Sequence, residues 1–190
     1  MVELIFETHS LSEDNEAGIA TGWNPGRLSE EGRRLAAQLG ERHRAQPPRA
    51  VFTSDLSRAV ETAQIAFATT KIPIHQDSRL RECNYGKLTG MPVERLDPER
   101  LRHVHTPFPD GESYEQVTEK VRRFLAVVEE GWSGSRVVVI GHSATKWALD
   151  HILEGRLLED LVRAPFDWQE GWHYRLGRNA RPRPPLASAP

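Results

Sequence analysis

"RVVVIGHSATKWALDHILE", Arg136 to Glu154, holds the turn on which the fold reading rests. Its first five residues are a mostly β-branched run too short for a helix and without polar alternation, the pattern of a strand buried on both faces. After Gly141-His142 the period changes. Trp147, Leu149, Ile152 and Leu153 then mark a helix starting near Ser143. Residues 2–6 (VELIF) and 49–53 (RAVFT) repeat the strand pattern, and 71–74 (KIPI) is weaker, with Pro73 assigning it to an edge or a strand end.

Helical patterns separate these strands. Ser29 is the expected N-cap of a helix carrying Leu35 and Leu39. Ser54 or Asp55 is expected to cap a second, through Ala59, Thr62, Ala63 and Ala66. Ser113 and Gln116 form a capping-box pattern ahead of Val117, Val121, Phe124, Leu125 and Val128. Alternation of this kind predicts an α/β fold, a three-layer α/β/α sandwich with a mostly parallel central sheet. Residues 166–176 alternate around Gly171 and predict a late strand or hairpin. Residues 1–177 are expected to form a single domain. The Pro-, Ala- and Arg-rich stretch 178–190 has no periodicity and is expected to be a mobile tail.

Composition narrows the partners. A chain of 190 residues with 38% hydrophobic and 27% charged residues reads as globular. Its formal net charge of -2 gives no global attraction to nucleic acid or an anionic membrane, so a phosphate ligand needs a local cluster. No apolar run approaches the roughly 20 residues of a spanning helix, and no basic, apolar leader opens the chain. The single cysteine, Cys83, fits a reducing compartment, so a cytoplasmic location is expected. Composition leaves monomer and homodimer open.

Open α/β sheets bind ligands beyond the carboxyl ends of their strands. His9 follows the first strand, Arg58 follows the second within five residues of its end, and His142 follows the 136–140 strand. Two imidazoles beside a guanidinium make an anion site. A neutral imidazole is also a nucleophile toward phosphorus, and the second could stabilise charge on the equatorial oxygens. A departing alkoxide needs an acid. Glu82, in a loop-like stretch ahead of Gly86 and Gly90, is the first candidate and Glu112 its rival. The remaining histidines show no metal-ligand spacing; His103 and His105, two apart, suit neither a helical pair nor a zinc finger.

The ordered blocks Thr8-His9-Ser10 with Ser12 and Asn15, Thr21-Gly22, "LSEEG" (28–32), "TSDLSRAVETA" (53–63), "LRECNYGKLTG" (80–90), "DGESY" (110–114) and "VVVIGHSA" (137–144) resemble the histidine phosphatase (phosphoglycerate mutase-like) superfamily. That resemblance implies that His9 is the nucleophile that becomes phosphohistidine. His142 and Arg58 would hold the phosphoryl oxygens, Asn15 would donate a further hydrogen bond, and Glu82 would be proton donor and then base. Thr21, Gly22 and Ser143 would contribute backbone N–H groups. No metal or other cofactor is implied, and the implied partner is a small phosphorylated substrate. The short segment between Glu82 and Gly111 favours hydrolysis over mutase action, and residues 91–111 are the candidate specificity segment.

One position departs from the pattern. Where the superfamily carries the arginine of its Arg-His-Gly tripeptide this chain has Thr8, and Ser10 replaces the glycine. A lost hydrogen bond to a charged group is worth about 1.5–3 kcal/mol. Lys146, four residues after His142, is the expected substitute cation, with Arg27, Arg79, Arg81 and Lys87 as others near the mouth. The alternatives to a phosphatase are a catalytically weak or inactive phosphate-binding module and a phosphoglycerate mutase-type phosphotransferase.

Overall fold

A computed structural model of the chain describes residues 1–177; the expected tail, 178–190, lies outside the described residues. Three parallel strands form the centre of the sheet because the middle residues of each are apolar on both faces. They are β1 (Val2–Thr8), β2 (Ala50–Thr53) and β4 (Arg136–Gly141). With the edge strands β3 (Ile74–Gln76) and β5 (Trp172–Leu176), the order is β3-β2-β4-β1-β5, and only β5 runs antiparallel, against β1. Side chains alternate between two cores, which is why the strands read as continuous apolar runs. Ile5, Val51, Val138 and Ile140 face α2 (Glu30–Arg42) and α3 (Ser57–Ala66). Leu4, Phe6, Phe52, Val137 and Val139 face α5 (Tyr114–Gly131) and α6 (Ser143–Glu154). The three-layer sandwich is therefore present. The short helices α1 (Glu13–Glu16), α4 (Val93–Arg100) and α7 (Leu158–Arg163) decorate the connections.

Capping follows the sequence at two helices and departs at one. Ser29 accepts from the Gly32 N–H, and Ser113 and Gln116 form the capping box of α5. Neither Ser54 nor Asp55 caps α3, however. Its N-cap is Leu56, without a side-chain bond, because Asp55 is taken by Arg81 (2.7 and 2.6 Å) and Ser54 turns to His142. The weak strand begins after Pro73 rather than before it, and the proline carbonyl still accepts from Val51 N (3.0 Å). Of residues 166–176 only Trp172–Leu176 pairs in the sheet; the part before Gly171 is loop. Gly32 lets α2 approach the segment after β1, since a Cβ there would lie 1.8 Å from the Leu11 carbonyl oxygen. Among the described residues no helix is long and apolar enough to cross a membrane.

The register places the site. Thr8 pairs with Gly141 and Thr53 with Ile140, so the parallel strands end together. The ladder continues one step beyond, with His9 N donating to Gly141 O (2.8 Å) and Ser54 N to Ile140 O (3.2 Å). Residues far apart in the chain thereby reach one edge.

Candidate active site

His9 is held by its own neighbour. Its Nδ1 lies 2.7 Å from the Ser10 carbonyl oxygen, which can only accept, so Nδ1 carries the proton and Nε2 keeps its lone pair. Arg58 Nε points at that lone pair from 3.2 Å. Burial first, and the Arg58 charge second, lower the His9 pKa to about 3, so the ring is neutral at physiological pH. The ring of His142 lies 5.0 Å from that of His9, centroid to centroid. His142 Nε2 is 2.7 Å from Ser54 Oγ, and Arg58 Nη2 approaches its Nδ1 at 3.4 Å. Its pKa too is well below the ordinary value, from burial and then from Arg58 and His9. His142 is therefore neutral at physiological pH, like His9.

Arg58 lies at the centre of the cluster and is only 3% exposed. Besides its histidine contacts, Nη2 donates to the Gly22 carbonyl (2.9 Å). Its Nη1 is the one buried side-chain polar atom without a hydrogen-bond partner among the described residues. A buried guanidinium N–H left unpaired costs free energy, and an oxyanion beside His9 would satisfy it. Gly22 reaches the guanidinium through a left-handed turn (φ 52°), with Thr89 and Tyr85 crowding its α-carbon. It thus serves Arg58 through its carbonyl, an arrangement the sequence did not suggest. The N–H groups of Thr21 and Gly22 donate to nothing among the described residues.

Glu82 is 8% exposed and is the acidic group that acts most strongly on buried Arg58. One carboxylate oxygen accepts from Cys83 N (2.8 Å), and its backbone carbonyl accepts from Trp23 Nε1 (2.6 Å). Trp23 in turn carries Arg81 over its ring, 4.6 Å from the centroid. The rival Glu112 is occupied, paired with Lys120 and accepting from Asn84 N (3.3 Å). Asn15 accepts through Oδ1 from Ser12 N and Oγ (3.1 and 2.8 Å), which leaves its NH2 outside every hydrogen bond of the described residues. Ser143 opens α6 next to His142, where the helix dipole favours an anion.

The sequence profile of the histidine phosphatase superfamily (branch 1) matches residues 4–170. The chain belongs to that superfamily. A 2,3-bisphosphoglycerate-dependent phosphoglycerate mutase of Neisseria meningitidis is 27% identical, over 95% of this chain and 97% of its own. Among solved structures, Bacillus stearothermophilus YhfR superposes with a TM-score of 0.82 at 25% identity, covering 95% of this chain and 94% of that one. A mycobacterial glucosyl-3-phosphoglycerate phosphatase in complex with VO3 gives 0.75 at 25% identity, covering 84% and 85%. Both a mutase and a phosphatase are therefore relatives of this histidine phosphatase-family chain.

The cation expected near Thr8 is not supplied by Lys146. Lys146 does not reach the site. Its ammonium donates to both oxygens of Asp150 (2.6 Å each), one turn along α6, and lies under the rings of Trp172 and Tyr174. The i, i+4 spacing that suggested a shared face with His142 instead supplied a partner on its own helix. The other candidates are also paired: Arg27 with Glu13, Arg79 with Asp77, Arg81 with Asp55 and Lys87 with Asp110. Within residues 91–111, buried Leu96, Val104 and Phe108 anchor the segment to the domain. Thr8 itself accepts a hydrogen bond from Trp168 Nε1 (3.2 Å). Trp168, Phe166 and Arg42 were absent from the sequence-level site. They join Thr8, His9, Asn15, His142 and Ser143 around a cleft of about 470 Å³. No spacing rule relates a loop indole to a residue 160 positions earlier.

Proposed function

We propose that this protein is a metal-independent phosphatase that hydrolyses small phosphate monoesters through a phosphohistidine on His9. The observation that carries the reading is the unprotonated His9 Nε2 facing Arg58, whose Nη1 is buried without a partner. The ester phosphate binds with its oxygens on Arg58, on His142 and on the N–H groups of Thr21, Gly22 and Ser143, with Asn15 adding its amide. His9 Nε2 attacks phosphorus as the P–O bond to the alcohol breaks. Protonated Glu82 gives its proton to the departing oxygen, so a neutral alcohol leaves. The resulting Glu82 carboxylate takes a proton from water, which attacks the phosphohistidine and restores His9 with release of inorganic phosphate. Charge on the phosphoryl oxygens is met by fixed donors throughout.

Hydrolysis of 4-nitrophenyl phosphate by the purified chain, abolished in His9→Ala, is the first expected result. The second is acid-labile phosphate trapped on the wild-type chain during turnover. Thr8 favours a second reading, a phosphate-binding module with little catalysis, because its hydroxyl is occupied by Trp168. Phosphate binding without His9-dependent turnover at any pH would support that reading and overturn the first. Interconversion of phosphoglycerates primed by 2,3-bisphosphoglycerate would instead place the chain with the mutases.

A further inference from the structure

The cleft beside His9 bears on what the phosphate is attached to. Its volume, about 470 Å³, falls in the range of small-molecule sites and well exceeds the roughly 150 Å³ that holds a benzene ring. Leu11, Leu35, Leu39, Phe166 and Trp168 give it an apolar wall. The Trp168 indole is 58% exposed there, although its Nε1 is tied to Thr8. An aromatic ring fixed at one end and open on its face offers area to an apolar ligand at little further cost in ordering.

The charges around the cleft oppose a second anion. Among the described residues that line it, the only lysine or arginine is Arg42, which pairs with Glu7 (3.1 Å) and approaches Glu170 (3.7 Å). Arg42 thus faces two carboxylates, and Glu7 also meets His43 Nε2 (3.0 Å), so no cation on this wall is left over for a second anion while His9 and His142 are neutral. Arg58 serves the phosphate and has none to spare. An arginine at position 8 would supply the missing charge; the threonine supplies a hydroxyl and leaves the space open.

We infer that the cleft selects phosphate monoesters whose alcohol portion is uncharged and apolar, with a ring or short hydrocarbon chain lying against Trp168 and Phe166, and that it discriminates against esters carrying a second negative charge. This rests on the phosphatase reading above and deepens it. The test compares three esters of primary alcohols, so that leaving-group basicity contributes little: 2-phenylethyl phosphate, glycerol 3-phosphate and 3-phosphoglycerate. The expected kcat/KM for 2-phenylethyl phosphate exceeds that for 3-phosphoglycerate at least tenfold, with glycerol 3-phosphate between them. Trp168→Ala is expected to narrow the ratio of 2-phenylethyl to glycerol ester at least fivefold. Thr8→Arg is expected to shift preference toward 3-phosphoglycerate. Equal or better use of 3-phosphoglycerate by the wild type would overturn the inference, as would equal losses on all esters in Trp168→Ala. If no ester shows His9-dependent turnover, it is the phosphatase reading that fails. Calorimetric binding of 2-phenylethylphosphonate against inorganic phosphate then decides the cleft. Tighter binding of the phosphonate, weakened by Trp168→Ala, upholds it, and equal binding refutes it.

Discussion

Lowering the pH from 7 to 5 puts the neutral His9 to a direct test. In the unfolded chain a histidine takes up a proton near pH 6.5, whereas in the folded chain His9 does so only at about 3. Below 6.5 the unfolded state therefore binds more protons, and stability falls as the pH falls until the folded value is reached. Between pH 7 and pH 5 the unfolded side chain gains about 2 kcal/mol from protonation while the folded one gains almost nothing. The figure barely changes for any folded value below 4. His142 is shifted in the same direction, so it adds a loss of the same sign. Urea unfolding at pH 7, 6 and 5 on the wild type and on His9→Asn isolates the His9 contribution, because asparagine does not titrate. The wild type should lose about 2 kcal/mol more than the variant over that interval. A difference below about 0.5 kcal/mol would show His9 accepting a proton in the folded state. A nucleophile kept neutral by burial beside Arg58 would then have to be abandoned.

Three further outcomes follow from the same geometry. Arg58→Lys keeps a charge but loses the fork that spans His9, His142 and Gly22, and kcat/KM for any phosphate monoester should fall at least about a hundredfold. Glu82→Gln should lower kcat/KM, which covers only the transfer to His9, by about 10²–10⁴ on alkyl esters and much less on 4-nitrophenyl phosphate, whose leaving group needs no proton; equal losses of kcat/KM on both would mean that Glu82 is not the acid. Lys146→Met strands the Asp150 carboxylate with only Tyr174 and Arg156, so urea unfolding should show a loss of about 3 kcal/mol. Calorimetry should find phosphate affinity in that variant unchanged, since the ammonium faces Asp150 and not the site; a tenfold weakening would restore it to the phosphate pocket.

The reach of the sequence can be judged residue by residue. Apolar runs at 2–6, 49–53 and 136–140 announced strands buried on both faces, because period and side-chain type are local properties. The histidines after two of them, and Arg58 after the third, were visible as groups arriving at one sheet edge. Ser54 was misread as a cap because a serine before a helix has that use in most local contexts. Only the approach of β4 to β2 revealed that its hydroxyl meets His142.

Sequence alone determined the layered architecture and which polar residues follow which strand, since each depends on nearest neighbours along the chain. Tertiary structure decided which charges were free. Lys146, Arg27, Arg79, Arg81 and Lys87 look alike as cations in a string of letters, and each found a carboxylate once folded. It also decided what stands beside Thr8. Trp168 arrives there because β5 runs back along β1 and brings the loop before it to the end of β1, and a side-chain contact across 160 residues leaves no mark in local spacing.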